Sequence, residues 1–263
     1  MALVQAATAQ RTTGTANVDV TLTGVANGNY LAVLVTGDAN QAPTITTQSG
    51  STGAWTQPAA LNVWNGSDFF KQDGAYAVAT ATGNVTVRAA AGTSSYLSVV
   101  VVELSSIASF DQAGYVRDTT GGTDSVLGQS LTPASVPAMR LAFAIDYSVT
   151  PVAPTAGTNY TDSITYFPYG GNDAGRVAYR QVTGSPVAAS DTFTDAAGGP
   201  WHVASFIFLE SAGAAPDDIV SVWTDPDDPV YGTISEYSFL FEDAPPPPST
   251  DTPITACFSL GYY

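Results

Sequence analysis

Apolar residues in this chain fall in short runs set between Gly, Pro, Asn and Asp, and the residues around them are Thr, Ser, Val, Ala, Gly and Tyr. Val18, Val20 and Leu22 alternate with Asp19, Thr21 and Thr23, the two-residue period of a half-buried strand. Long stretches rich in Glu, Lys, Leu and Arg, which helices favour, are absent. The pattern predicts strands over 18–24, 30–36, 74–80, 84–90, 96–104, 139–147, 176–182, 191–195 and 202–210. Two of these, YLSVVVVEL (96–104) and HVASFIFLE (202–210), are almost continuously apolar, which marks central strands with little solvent on either face. The one helical expectation is a turn or two around Ile107–Asp111.

The two halves resemble one another. YLAVLVTGD (30–38) corresponds to RLAFAIDYS (140–148), AYAVATATGNVTV (75–87) to VAYRQVTGSPVAA (177–189), and YLSVVVVELSS (96–106) to HVASFIFLESA (202–212). Three matches in one order imply a duplicated unit or an inherently two-fold fold. No linker of distinct composition separates the halves, and GGTDSVLGQSLTPASVPA (121–138) reads as a crossover. The expectation is therefore an all-β, jelly-roll-like antiparallel sandwich over 15–212 with a pseudo-two-fold internal repeat, two separate small sandwiches being the alternative. Residues 1–14 form an N-terminal arm in this reading. Residues 213–263 form a C-terminal extension with a stiff proline spacer at 245–248. Beyond that spacer, Ile254, Phe258, Leu260, Tyr262 and Tyr263 offer apolar area to a partner.

Charge narrows the function. Only 11 % of residues are charged, seven Lys plus Arg against 23 Asp plus Glu, for a formal net charge of −16. A phosphate backbone and an anionic membrane surface are both repelled by such a chain. No apolar run approaches the roughly 18 residues that span a bilayer. The N-terminus MALVQAATAQRTTG lacks a basic n-region, so a cytoplasmic origin is expected. The three Asn-X-Ser/Thr sequons at Asn65, Asn84 and Asn159 are then incidental. Lys71 is the only lysine, His202 the only histidine and Cys257 the only cysteine, which excludes the common zinc sites and internal disulfides.

Candidate chemistry is sparse. His202 has no GxSxG serine to activate, and reads as a histidine packed beside Trp201. Glu103 and Glu210 occupy equivalent places in the two half-repeats; a glycosidase uses two carboxylates, but symmetry alone accounts for the pair, and each suits a strand-end or loop contact. Asp225, Asp227 and Asp228, with Asp217 and Asp218 second, are the calcium candidates, without EF-hand spacing. Trp55, Trp64, Phe69, Phe70, Tyr166, Phe167 and Tyr169 lie in or near loops, where aromatics stack on sugars or anchor the core. No cofactor is indicated.

The succession YLAVLVTGD, PTITTQSGSTGAWTQ, VWNGSDFFKQ, GNVTV and LSVVVVELSSIASFD, then MRLAFAIDYS, VAYRQV and WHVASFIFLE, resembles the jelly-roll-type β-sandwich structural proteins of tailed bacteriophages over about residues 15–212. SGSTGAW (49–55) stands where that family commonly has an Asp-Asn or Asp-Gly-Asn turn. The resemblance implies a non-enzymatic virion surface component, a capsid decoration, head fibre or spike, or tail accessory protein, assembled in the host cytoplasm. Its implied partners are other virion proteins and further copies of itself, with a host-surface glycan as a further partner. It supplies no catalytic residues. The alternatives are a carbohydrate-binding module and, third, a glycan-cleaving enzyme.

Overall fold

The computed structural model describes residues 1–11, 17–37, 42–63, 71–91, 97–120, 125–147, 154–166, 174–195 and 198–211. All of them belong to one compact unit, Met1–Asp217. Among the described residues the fold is all-β, with a single turn of 3-10 helix at Ala59–Leu61. The first half contains β1 (Ala2–Arg11), β2 (Asn17–Val25), β3 (Tyr30–Gly37), β4 (Thr44–Ser49), β5 (Lys71–Val78), β6 (Gly83–Ala90) and β7 (Leu97–Ser105). The second contains β8 (Ile107–Asp118), β9 (Ser125–Leu127), β10 (Ala138–Asp146), β11 (Thr155–Ala156), β12 (Thr161–Tyr166), β13 (Ala174–Val182), β14 (Thr192–Thr194) and β15 (Trp201–Glu210).

The duplication is real at the level of pairing. In the first half β1 pairs with β7, β2 with β6 and β3 with β5, so the chain runs out, turns at β4 and returns along itself. This ribbon is wrapped so that β3 also meets β7 and β4 meets β6. The second half repeats the scheme: β8 with β15, β9 with β14, β10 with β13, then β10 with β15 and β11 with β14. Its one addition is β12, an extra edge strand on β13. Each half thus makes a large sheet, β1-β7-β3-β5 or β12-β13-β10-β15-β8, and a small one, β2-β6-β4 or β11-β14-β9. What the sequence led us to expect as one sandwich shared by the halves is a pair of two-sheet units packed together. Ser106 alone joins them, in the left-handed conformation at φ 58°.

Three cores separate four layers. Val18, Val20 and Leu22 of the first small sheet pack on Leu31, Val33, Val99 and Val101 of the first large sheet. The opposite face of that sheet, through Ala32, Leu34, Val100 and Val102, meets Leu141, Phe143, Phe206 and Phe208 of the second large sheet. The far side of the second sheet, with Ala142, Ala144 and Val203, is covered by Val126 and Phe193 of the second small sheet. The large sheets are therefore apolar on both faces, which is why β7 and β15 carry unbroken apolar runs.

Their contact is complementary in size. The first repeat presents small residues, Ala32 and Gly74, where the second presents Phe143, Phe206 and Phe208. Phe206 and Phe208 lie nearly parallel with centroids 5.9 Å apart, and Phe208 meets Tyr30 edge-on at 5.7 Å. Gly74 is required by this approach: a Cβ there would stand 2.7 Å from Leu61 Cδ1 and 3.2 Å from Phe206 Cζ.

All nine expected strands are present, but two expectations are corrected. Residues 2–11 of the supposed arm are edge strand β1, paired with β7. A bulge at Val4, which is 51 % exposed, reverses the alternation within β1 and hides its period. The supposed helix at Ile107–Asp111 is the start of β8, which ranges from buried to exposed and lies on the edge of the second large sheet beside β15.

The shared core predicts coupled unfolding. Phe206→Ala is expected to lower stability by about 3–5 kcal/mol, and Gly74→Ala by about 1–3 kcal/mol through overpacking. Urea denaturation followed by near-UV circular dichroism should show one transition for both halves. A variant in which only the second half loosens would contradict the shared core.

Candidate functional site

The carboxylates proposed from the half-repeat have structural partners. Glu103 is buried on β7, and its Oε1 accepts from the Ala26 backbone N–H at 3.0 Å and Asn29 Nδ2 at 2.6 Å. Its Oε2 accepts from Gln5 Nε2 at 2.5 Å, so this one side chain ties β1 and the β2–β3 turn to β7. Glu210 Oε1 lies 2.6 Å from the Met1 amino group. The two carboxylates share no partner.

His202 is fully buried on β15, between the rings of Tyr115 at 5.6 Å and Tyr147 at 5.2 Å. Its Nδ1 is 3.3 Å from the Tyr147 hydroxyl, while Nε2 has no partner. Burial first, and then the charge of Arg117, push its pKa down to about 3. A neutral imidazole in this setting fills the core. Trp55, a candidate for sugar stacking, instead packs on the first repeat's core and donates from Nε1 to Thr47 Oγ1 at 3.0 Å. Tyr166 belongs to β12. Trp64, Phe69, Phe70, Phe167 and Tyr169 lie outside the described residues, as do Asp217, Asp218, Asp225, Asp227 and Asp228 and the apolar set Ile254, Phe258, Leu260, Tyr262 and Tyr263.

A site that sequence reasoning missed lies on the outer side of the second large sheet. There the covering strands β9, β11 and β14 have 3, 2 and 3 residues, against 9, 6 and 8 for their counterparts β2, β4 and β6. Beside this short cover a groove of about 580 Å³ opens, lined by Arg140, Asn159, Arg180 and Gln181 and by the 182–189 segment through Thr183, Ser185 and Val187.

One of its lining residues, Arg140, belongs to a buried ion pair. Arg140 is 1 % exposed, and its Nε donates to Asp191 Oδ1 at 2.9 Å. Nη1 donates to the Leu131 carbonyl at 3.0 Å and Nη2 to the Ala189 carbonyl at 2.8 Å. The Tyr160 hydroxyl donates to Asp191 Oδ1, and the Ser205 hydroxyl to Oδ2. Burial lowers the Arg140 pKa, but the hydrogen bond and charge of Asp191 outweigh it and leave the guanidinium more basic than usual. Burial, followed by the Asp191 charge, raises the Tyr160 pKa, so the phenol stays protonated as a donor.

Arg180 stands directly opposite Arg140 in the β10–β13 register. It has no ion pair among the described residues. Its guanidinium lies 4.9 Å from the centroid of the Tyr160 ring, and its buried Nε has no hydrogen-bond acceptor. Two like charges side by side on one sheet face are unfavourable, and Asp191 compensates only one of them. A signal for this site was present in MRLAFAIDY, where Arg140 stands near the start of an apolar run that ends at Asp146.

Among the described residues no group of three or more His, Cys, Asp or Glu side chains is placed to hold a metal ion. Comparison with protein-family models, with curated proteins and with solved structures finds no match to the chain.

Two predictions follow from the buried polar groups. Asp191→Ala leaves the Arg140 charge buried and unpaired, and should cost about 3–5 kcal/mol in a denaturant titration.

The pH dependence has two opposed parts. The depressed His202 pKa means that between pH 6.5 and about 3 the unfolded chain gains a proton the folded chain refuses, so stability falls as pH drops through that window. Asp73, raised to about 7 chiefly by burial, keeps its proton when folded while the unfolded carboxyl ionises near 3.8. Its contribution is thus lost as pH rises from 3.8 to about 7. Urea midpoints measured from pH 3.5 to 7.5 should show a flatter acid limb in His202→Gln and a flatter neutral limb in Asp73→Asn.

Proposed function

We propose that this protein is a non-enzymatic structural component of a bacteriophage virion surface, of the capsid-decoration, head-fibre or tail-accessory kind. The observation that carries this reading is the doubled ribbon. Strand orders β1-β7-β3-β5 and β2-β6-β4 recur in the second repeat, and we read them as a rolled antiparallel ribbon of the jelly-roll type. Further support comes from the acid–base candidates, since Glu103 and His202 are buried and Glu210 is paired. A net charge of −16 suits a surface that must stay soluble at high local concentration.

In this reading the C-terminal set Ile254, Phe258, Leu260, Tyr262 and Tyr263 makes the contact with the particle or with further copies of the chain. Mass spectrometry and antibody labelling of gradient-purified particles should find the protein at a fixed copy number. Its absence from intact particles would refute the assignment. Truncation after Asp243 is expected to abolish incorporation or reduce the oligomer; unchanged mass and normal occupancy would remove the tail from the model of assembly.

A carbohydrate-binding role is the second reading, and the groove over Arg140 and Arg180 is the observation that favours it.

A further inference from the structure

We propose that the groove on the second repeat binds the carboxylate of an acidic saccharide, with Arg180 as its anchor. The proposal deepens the carbohydrate-binding reading and holds whether or not the protein sits on a virion.

Arg140 cannot be the anchor. Its Nε, Nη1 and Nη2 are all committed to Asp191, Leu131 and Ala189. Arg180, its cross-strand neighbour, has the opposite character: no ion pair among the described residues, and a buried Nε lacking an acceptor. A buried donor left unmet is costly, and a carboxylate against the groove side of this guanidinium would supply the counter-charge that Arg180 lacks among the described residues. The guanidinium fork matches the two oxygens of a carboxylate in one plane. Its place over the Tyr160 ring, itself tied to Asp191, limits the orientations it must give up on binding.

The rest of the lining identifies the ligand further. Asn159, Thr183 and Ser185 are neutral hydrogen-bonding groups suited to sugar hydroxyls, and among the described residues that line the groove there is no carboxylate, in a strongly acidic chain. The volume of about 580 Å³ is that of a small-molecule site. A free phosphate or acetate would leave most of it to water, whereas a mono- or disaccharide carrying a carboxylate would fill it. The truncated β9, β11 and β14 leave this face open in the second repeat, while the longer β2, β4 and β6 cover the corresponding face of the first.

The test uses the full chain. Isothermal titration with oligogalacturonate, a hyaluronan tetrasaccharide and sialyllactose is compared with carboxyl-reduced or neutral counterparts, and with acetate and phosphate. At least one acidic saccharide should bind at least tenfold more tightly than its neutral counterpart and than either free anion. Arg180→Gln should weaken it at least tenfold, while Arg88→Gln on the first repeat leaves it unchanged. Ser185→Glu, at an exposed position, should abolish binding by placing a carboxylate in the groove without disturbing the fold. No binding by any acidic saccharide at millimolar concentration, equal binding of acetate or phosphate, or full retention in both Arg180→Gln and Ser185→Glu would overturn the proposal. Absence from particles combined with intact saccharide binding would refute the virion role alone.

Discussion

Two large sheets, each apolar on both faces, hold this molecule together. A strand buried on one side can alternate, but the central strands β3, β7, β10 and β15 have no side on which to place polar residues freely. Burial of such strands is non-directional and strong, so register and orientation must come from shape. The aromatic side chains of the second sheet opposite Ala32 and Gly74 of the first provide that shape. Neither repeat would keep this surface out of water alone, which makes the halves one folding unit although each has its own closed ribbon.

The repeats have diverged where that constraint is weakest. The first retains a long outer sheet over β-branched and leucine side chains. The second has turned its bulk inward, leaving Ala138, Ala142 and Ala144 on the outer side of β10 beneath three very short strands. Small side chains need less cover, and the space left at one end is taken by Arg140, Asp191 and the groove. A place for a ligand thus arises from asymmetry between two copies of one plan.

Two charges buried in the large sheets are answered by several partners each. Glu103 draws three donors and Arg140 three acceptors. Removing one member of such a set leaves the other stranded in a medium that solvates it poorly. His202 answers the same demand by remaining neutral. Arg180 differs from Arg140: its ring contact with Tyr160 leaves its Nε without an acceptor, and its side chain lines the groove.

Nine of the fifteen strand positions, the all-β class and the internal duplication were legible in the sequence because each depends on local pattern: alternation in β2, unbroken apolar runs in β7 and β15, and three ordered matches between halves. Edge strands β1 and β8 were not legible, since a bulge at Val4 breaks the period of one and partial exposure blurs the other, and neither were β4, β9, β11 and β12, of 6, 3, 2 and 6 residues. Whether the duplication makes one sandwich or two depended on which faces of β3 and β10 find partners, and pairing between residues about a hundred positions apart leaves no local trace. The groove was hidden for the same reason. Arg140, Tyr160, Arg180 and Asp191 are scattered along the chain, and only the wrapping of the second ribbon brings two arginines side by side with one buried carboxylate, ion-paired to Arg140.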